Sequence, residues 1–205
     1  MWRQIRTSYL FPILLFLVLY LVFYGFSQFT IAITSGGGML YSSFAEEHLN
    51  WFASLRAFYL QAAAVVIRWF DFDTTVYEPF QIKIKDGKGI WLVHSCVGTA
   101  IFSFWWAMIL AFPQTLKNKI IFFVAGTLVI VVLNILRIAG VAMLINTAWG
   151  KAHRNFDHHS VFNIVVYGIL FLMLYKWFNL KEKPSKVNIH HTPKEVTHKS
   201  TSITR

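Results

Sequence analysis

Long runs without a charge alternate with short polar connections along this chain. No Asp, Glu, Lys or Arg occurs in residues 7–45, 89–116 or 120–136. A bilayer crossing needs about 20 apolar residues. The pattern predicts membrane helices at about 9–31, 95–112, 119–138 and 160–177. Arg3 and Arg6 precede the first as they would precede a signal peptide. Its apolar run from Tyr9 to Ile33 is too long for that, and aromatics rather than small residues fill its end. It reads as a retained helix, followed by a flexible turn at Gly36-Gly37-Gly38.

Two segments break the pattern. Residues 51–70, WFASLRAFYLQAAAVVIRWF, are apolar but carry Arg56, Gln61 and Arg68. A fifth span here would reverse every later helix, so the segment is expected to be an interfacial or re-entrant helix on the outer side. Residues 76–93 change period. FQIKIK alternates apolar and cationic positions, Asp86-Gly87-Lys88-Gly89 makes a turn, and Gly89 to Val93 is extended. That is a β-hairpin signal. The expected fold is an all-α integral membrane protein: a helical bundle of about four transmembrane helices, an outer interfacial or re-entrant helix and a short β-hairpin.

Composition agrees with a bilayer as solvent. The chain of 205 residues is 56% hydrophobic, with 14% charged residues. Its net charge of +10 is partly gathered in residues 181–205, which hold six Lys/Arg and two Glu among Ser, Thr, Pro and His. Residues 1–180 therefore read as one membrane domain, and 181–205 as a disordered basic tail on the cytoplasmic side. Anionic lipid headgroups suit such a tail, and no nucleic-acid role is expected. With four spans, Arg3/Arg6, Lys117/Lys119 and Lys176 with the tail share one side, which positive-inside makes cytoplasmic. Lys151 and Arg154, in an outer connection, run against the rule. A lone cysteine excludes an intrachain disulfide.

The same topology brings three polar residues to the outer face: Cys96, Arg137 and His159. Cys96 is expected in the first turn of its helix, where free N–H groups favour a thiolate, and Gly98 permits a close approach of another chain. Asn134 and Arg137 share a helix face. Arg137 is followed by a dozen further apolar residues, so it is not simply a headgroup anchor. Ionisable groups at such depth usually face the bundle interior. His159 opens the last helix with Asn163 one turn further on, and an imidazole there could deprotonate a thiol and later protonate a leaving amine. Each residue also has a plainer reading: a packed cysteine, a snorkelling arginine, an interfacial histidine. A metal held by His153, Asp157, His158 and His159 is a further rival, but the spacing is not HExxH and would leave Cys96 idle. No metal or cofactor is expected.

At these residues the chain resembles the exosortase/archaeosortase family of membrane cysteine transpeptidases. Cys96-Val97-Gly98 is similar to its Cys-x-Gly, Asn134-Ile135-Leu136-Arg137 to its Asn-x-x-Arg, and a His heads the last helix. The resemblance covers about residues 55–178. The chain departs from the family in its few spans and in Asn163, which stands where the family has Gly if His159 is the matching histidine. His158 is one residue away and is the alternative. The resemblance implies a cell-membrane enzyme with its site facing the periplasm or outside. Its partners would be tail-anchored exported proteins with a C-terminal sorting signal. The enzyme would cleave near that signal and pass the new carboxyl end to an acceptor, with Cys96, Arg137 and His159 catalytic. A non-enzymatic assembly partner or small transporter subunit is the competing class. A transporter would place polar groups near the bilayer midplane rather than near one face.

Overall fold

A computed structural model describes residues 2–77, 80–148, 150 and 158–179, with side chains from Leu10 onward except those of Ser95 and residues 158–162. The basic tail, His153 and Asp157 lie outside the described residues. Helix α1 is Trp2–Thr34, α2 is Ser43–Leu49, α3 is Trp51–Arg68, α4 is Thr99–Ala111, α5 is Leu116–Leu144 and α6 is His158–Phe178. Between α3 and α4 lie three strands, β1 Thr74–Tyr77, β2 Gln81–Ile84 and β3 Gly89–Trp91, then a 3-10 turn at His94–Val97.

Two helices, over residues 10–34 and 116–144, are long and apolar enough to cross a bilayer. Only 6% of the most apolar part of the first is buried in protein. Its Leu14, Leu21 and Phe26 are exposed, as are Ile164 and Phe171 of α6, the distribution expected of helices facing lipid. The apolar helices at 99–111 and 163–178 are shorter. Helix α4 begins later than expected because Gly98 takes a left-handed conformation, φ +83°, and breaks the chain from the preceding turn. Helix α5 runs past Arg137 to Leu144, since nothing in Ile-Ala-Gly-Val-Ala-Met-Leu stops it strongly enough.

Side chains divide into two cores. One is built from Phe52, Tyr59, Leu60 and Ile67 of α3, Ile82 and Ile84 of β2, Leu92, Val97, and Ile138 and Ala142 of α5. The other joins Trp105 and Ile109 of α4, Ile130 of α5, and Val166, Leu170 and Trp177 of α6. Gly126 is what lets Trp105 in: a Cβ there would meet the indole at 2.0 Å. At the far end of this second core Phe112 packs edge-on against Phe178, with ring centroids 5.2 Å apart. The start of α5 carrying Lys117 and Lys119 and the end of α6 carrying Lys176 therefore share one end of the bundle. The sheet lies at the other.

Helix α3 differs from an amphipathic surface helix. Arg56 is buried, with its guanidinium 4.3 Å from the centroid of the Phe80 ring. The stacking ties α3 to the start of β2 and offsets part of the cost of burying the charge. The hairpin of β2 and β3 forms with Ile82 opposite Ile90. A third strand, β1, adds to it antiparallel, Thr75 opposite Lys83. Alternate residues Ile82 and Ile84 are buried while Lys83 and Lys85 are exposed, the period of a half-buried strand.

Candidate active site

Cys96 lies in the 3-10 turn, not in the first turn of α4. The extended chain of β3 continues through Val93, whose backbone is at φ −79° and ψ 161°, and the turn closes with Cys96 N–H donating to the Val93 carbonyl at 2.9 Å. Gly98 then redirects the chain into α4. The thiol is therefore presented on a short turn between a sheet and a helix, partly exposed and unpaired with another cysteine. The turn is pinned from α5. Buried Asn134 donates its amide to the Val97 carbonyl at 3.1 Å. A Cβ at Gly98 would meet the Asn134 amide nitrogen at 2.7 Å, so the glycine is needed for this approach as well as for its φ.

Asn134 and Arg137 sit one turn apart on α5, as the sequence implied. The structure brings Cys96 and Arg137 to the wall of one cavity of about 560 Å³. Asn163 and Tyr167 of α6, Thr99 to Ile101 of α4, and Tyr24 and Gln28 of α1 also line it. A second cavity of about 240 Å³ lies on the other side of the same pair, between Leu92 of the extended strand and Ile138 and Val141 of α5. Cys96 and Arg137 thus stand between two cavities. A third, apolar cavity of about 380 Å³ continues from the first along α1, α4 and α6, sharing Ala100, Ile101 and Tyr167 with it.

The side chains of His158 and His159 lie outside the described residues. What is described is Asn163, one turn after His159 in α6, and it lines the Cys96 cavity. Sequence reasoning passed over His94, which lines the same cavity two residues before the cysteine. Its Nε2 is 3.4 Å from the Ser35 hydroxyl. Burial, then the positive charge of Arg56, holds its pKa below the usual imidazole value. The signal available was the His-Ser-Cys run itself. Gln28 was equally unmarked, since it is a lone polar residue in a long apolar helix. Among the described residues no three His, Cys, Asp or Glu side chains gather as a metal site.

No curated protein and no solved structure matches the chain. A family model does. The model for transmembrane exosortases matches residues 3–176, from the start of the first apolar helix to the end of the last. That span takes in the cysteine turn, the Asn134–Arg137 turn of α5 and the helix that brings Asn163 to the cavity, and the chain belongs to the transmembrane exosortase family.

Proposed function

We propose that the protein is a membrane-embedded cysteine protease and transpeptidase that cleaves C-terminal sorting signals of exported proteins at the outer face of the membrane. Family membership supports a membrane protease or transpeptidase. The observation that carries the finer reading is that Cys96 and Arg137, far apart in sequence, share the wall of one cavity.

The chemistry assigns one role to each group. The Cys96 thiolate attacks the scissile carbonyl and forms a thioester. The C–N bond breaks, and the amine leaves with a proton supplied by His159. An acceptor nucleophile then attacks the thioester, returning its proton to the imidazole and releasing Cys96. Arg137 stabilises the oxyanion of both tetrahedral intermediates. The apolar cavity beneath the site supports the entry of a substrate's apolar helix, leaving its scissile bond level with Cys96. In this reading the cell-membrane bundle has four spans and the basic tail is cytoplasmic.

His94 supports a second assignment of the base, because a cavity histidine held below its normal pKa is neutral and able to accept a proton near neutral pH. Replacing each histidine decides. His159→Ala should abolish substrate processing with folded protein still in the membrane, while His94→Ala and His158→Ala should retain most of it. Loss confined to His94→Ala moves the base there.

The orientation has its own test. A membrane-impermeant maleimide should label Cys96 in intact spheroplasts. Labelling only after permeabilisation would put the site on the cytoplasmic side and end the account of cleavage at the outer face.

A further inference from the structure

Strand β3 is an edge of the sheet, whose order is β1-β2-β3. Its register fixes which backbone groups are used. Leu92 N–H donates to the Phe80 carbonyl at 2.7 Å, and Ile90 lies opposite Ile82. Hydrogen-bonded and non-bonded pairs alternate along an antiparallel ladder. The N–H and C=O of Trp91 therefore point away from β2. Among the described residues neither group has another backbone partner. Unpaired groups on a regular edge are a template for another strand.

Three further observations give this edge a direction and a place. The chain is still extended at Val93, and the 3-10 turn that carries Cys96 follows at once. The smaller cavity is lined by Ile90, Trp91 and Leu92 of this segment, by Ile138 and Val141 of α5, and by Cys96 and Arg137. The opposite edge of the sheet, β1, packs on α3 instead. An occupant of the cavity along β3 has the free N–H and C=O of Trp91 and the aliphatic side chains of Ile138 and Val141 to meet. An extended polypeptide satisfies both at once. A lipid chain would leave the Trp91 groups unpaired.

We propose that the substrate segment on the acyl side of the scissile bond docks on β3 as an added strand, pairing with the backbone of Trp91 and laying alternate side chains into the cavity against Ile138 and Val141. The proposal rests on Cys96 being the nucleophile. It assigns the smaller cavity to the acyl side and leaves the larger to the departing apolar helix. Recognition by β-strand addition draws affinity from main-chain hydrogen bonds and selectivity from pockets for alternate side chains.

The test uses the full-length protein in detergent and N-acetyl-trialanyl chloromethyl ketone. The Cys96 thiolate displaces chloride from this reagent and forms a thioether. Three analogues each carry one N-methylated amide. Rates of Cys96 modification are divided by the rate with iodoacetamide on the same protein, which removes differences in thiol reactivity. N-methylation at one amide should slow modification by about three- to tenfold, the range for one lost hydrogen bond. Trp91→Pro removes the edge N–H without touching the ladder to β2, a tolerated place for proline. It should slow the parent peptide by a similar factor and abolish the difference between that analogue and the parent. Equal rates for all four reagents on the unaltered protein overturn strand docking while leaving Cys96 reactive, and that result needs no variant to fold. Failure of iodoacetamide to modify Cys96 at all would overturn the nucleophile assignment beneath the proposal, and the proposal with it.

Discussion

Arg137 shows what the sequence revealed at the residue scale and what it concealed. Its depth in an apolar run marked it as more than an anchor, and it does line the cavity wall beside Cys96. Oxyanion stabilisation depends on donor placement, and losing one donor typically costs about 100- to 1,000-fold in rate. Arg offers a planar fork of donors where Lys is a mobile point charge. Arg137→Lys should therefore lose processing by about that factor while inserting normally, whereas a headgroup anchor would tolerate Lys. Immunoblotting of unprocessed substrate against enzyme level in membranes checks this. His94 was not singled out, because a histidine at the mouth of a helix has no periodicity to betray it; only the folded turn places it in the cavity. Its depressed pKa has a consequence for stability. The unfolded chain binds a proton on His94 more readily than the folded one, so His94 contributes stability that is present above the unfolded value near 6.5 and lost as pH falls below it. The thermal midpoint in detergent should fall on acidification through that region. His94→Gln should flatten the fall.

At the element scale, the hairpin was legible and its anchoring was not. Alternation in FQIKIK and the Asp-Gly-Lys-Gly turn are local signals, and β2 and β3 form where they point. Strand β1 was missed because Thr-Thr-Val-Tyr is too short to carry a pattern, and it gains its partner from β2. One tie between sheet and bundle is the side-chain amide of Asn146. Asn146, just past α5, accepts from Lys88 N–H at 2.6 Å and donates to the Lys88 carbonyl at 3.1 Å and the Ala142 carbonyl at 2.8 Å. Such a clasp joins residues distant in sequence, so no local reading could find it. It steadies the β2–β3 turn, the root of the strand that leads to Cys96. Asn146→Ala should leave α5 intact and free that turn. Losing about 1–2 kcal/mol of local stability raises opening by about 5- to 30-fold. Hydrogen exchange at the amides of residues 85–92 should quicken by that factor. Unchanged exchange there would show that Asn146 does not hold the hairpin.

Over the whole molecule, the site lies where two cores meet. The core of α3, the sheet and the C-terminal half of α5 holds the turn that carries Cys96, and the core of α4, α5 and α6 holds the helix that brings Asn163. Charge and length alone predicted that the start of α4, the second half of α5 and the start of α6 would gather at one end, and the described parts of all three line one cavity. Helix boundaries were less legible. Continuous apolar sequence hid both the Gly98 break and the extension of α5 past Arg137, since hydropathy does not register a left-handed glycine. The burial of Arg56 was hidden too, because its aromatic partner comes from another element.

The central claim is that Cys96 is the nucleophile of a sorting protease, and the most direct measurement is the fate of tail-anchored substrates in a strain carrying Cys96→Ser at the wild-type membrane level. Serine keeps the shape of the turn and its fit beside Asn134, but a hydroxyl is far less ionised than a thiol at neutral pH. Substrates should accumulate at full length with the C-terminal signal attached, detected by mass spectrometry of their C-terminal peptides. Normal trimming of that signal in the Cys96→Ser strain would contradict the account, leaving the cavity without its chemistry.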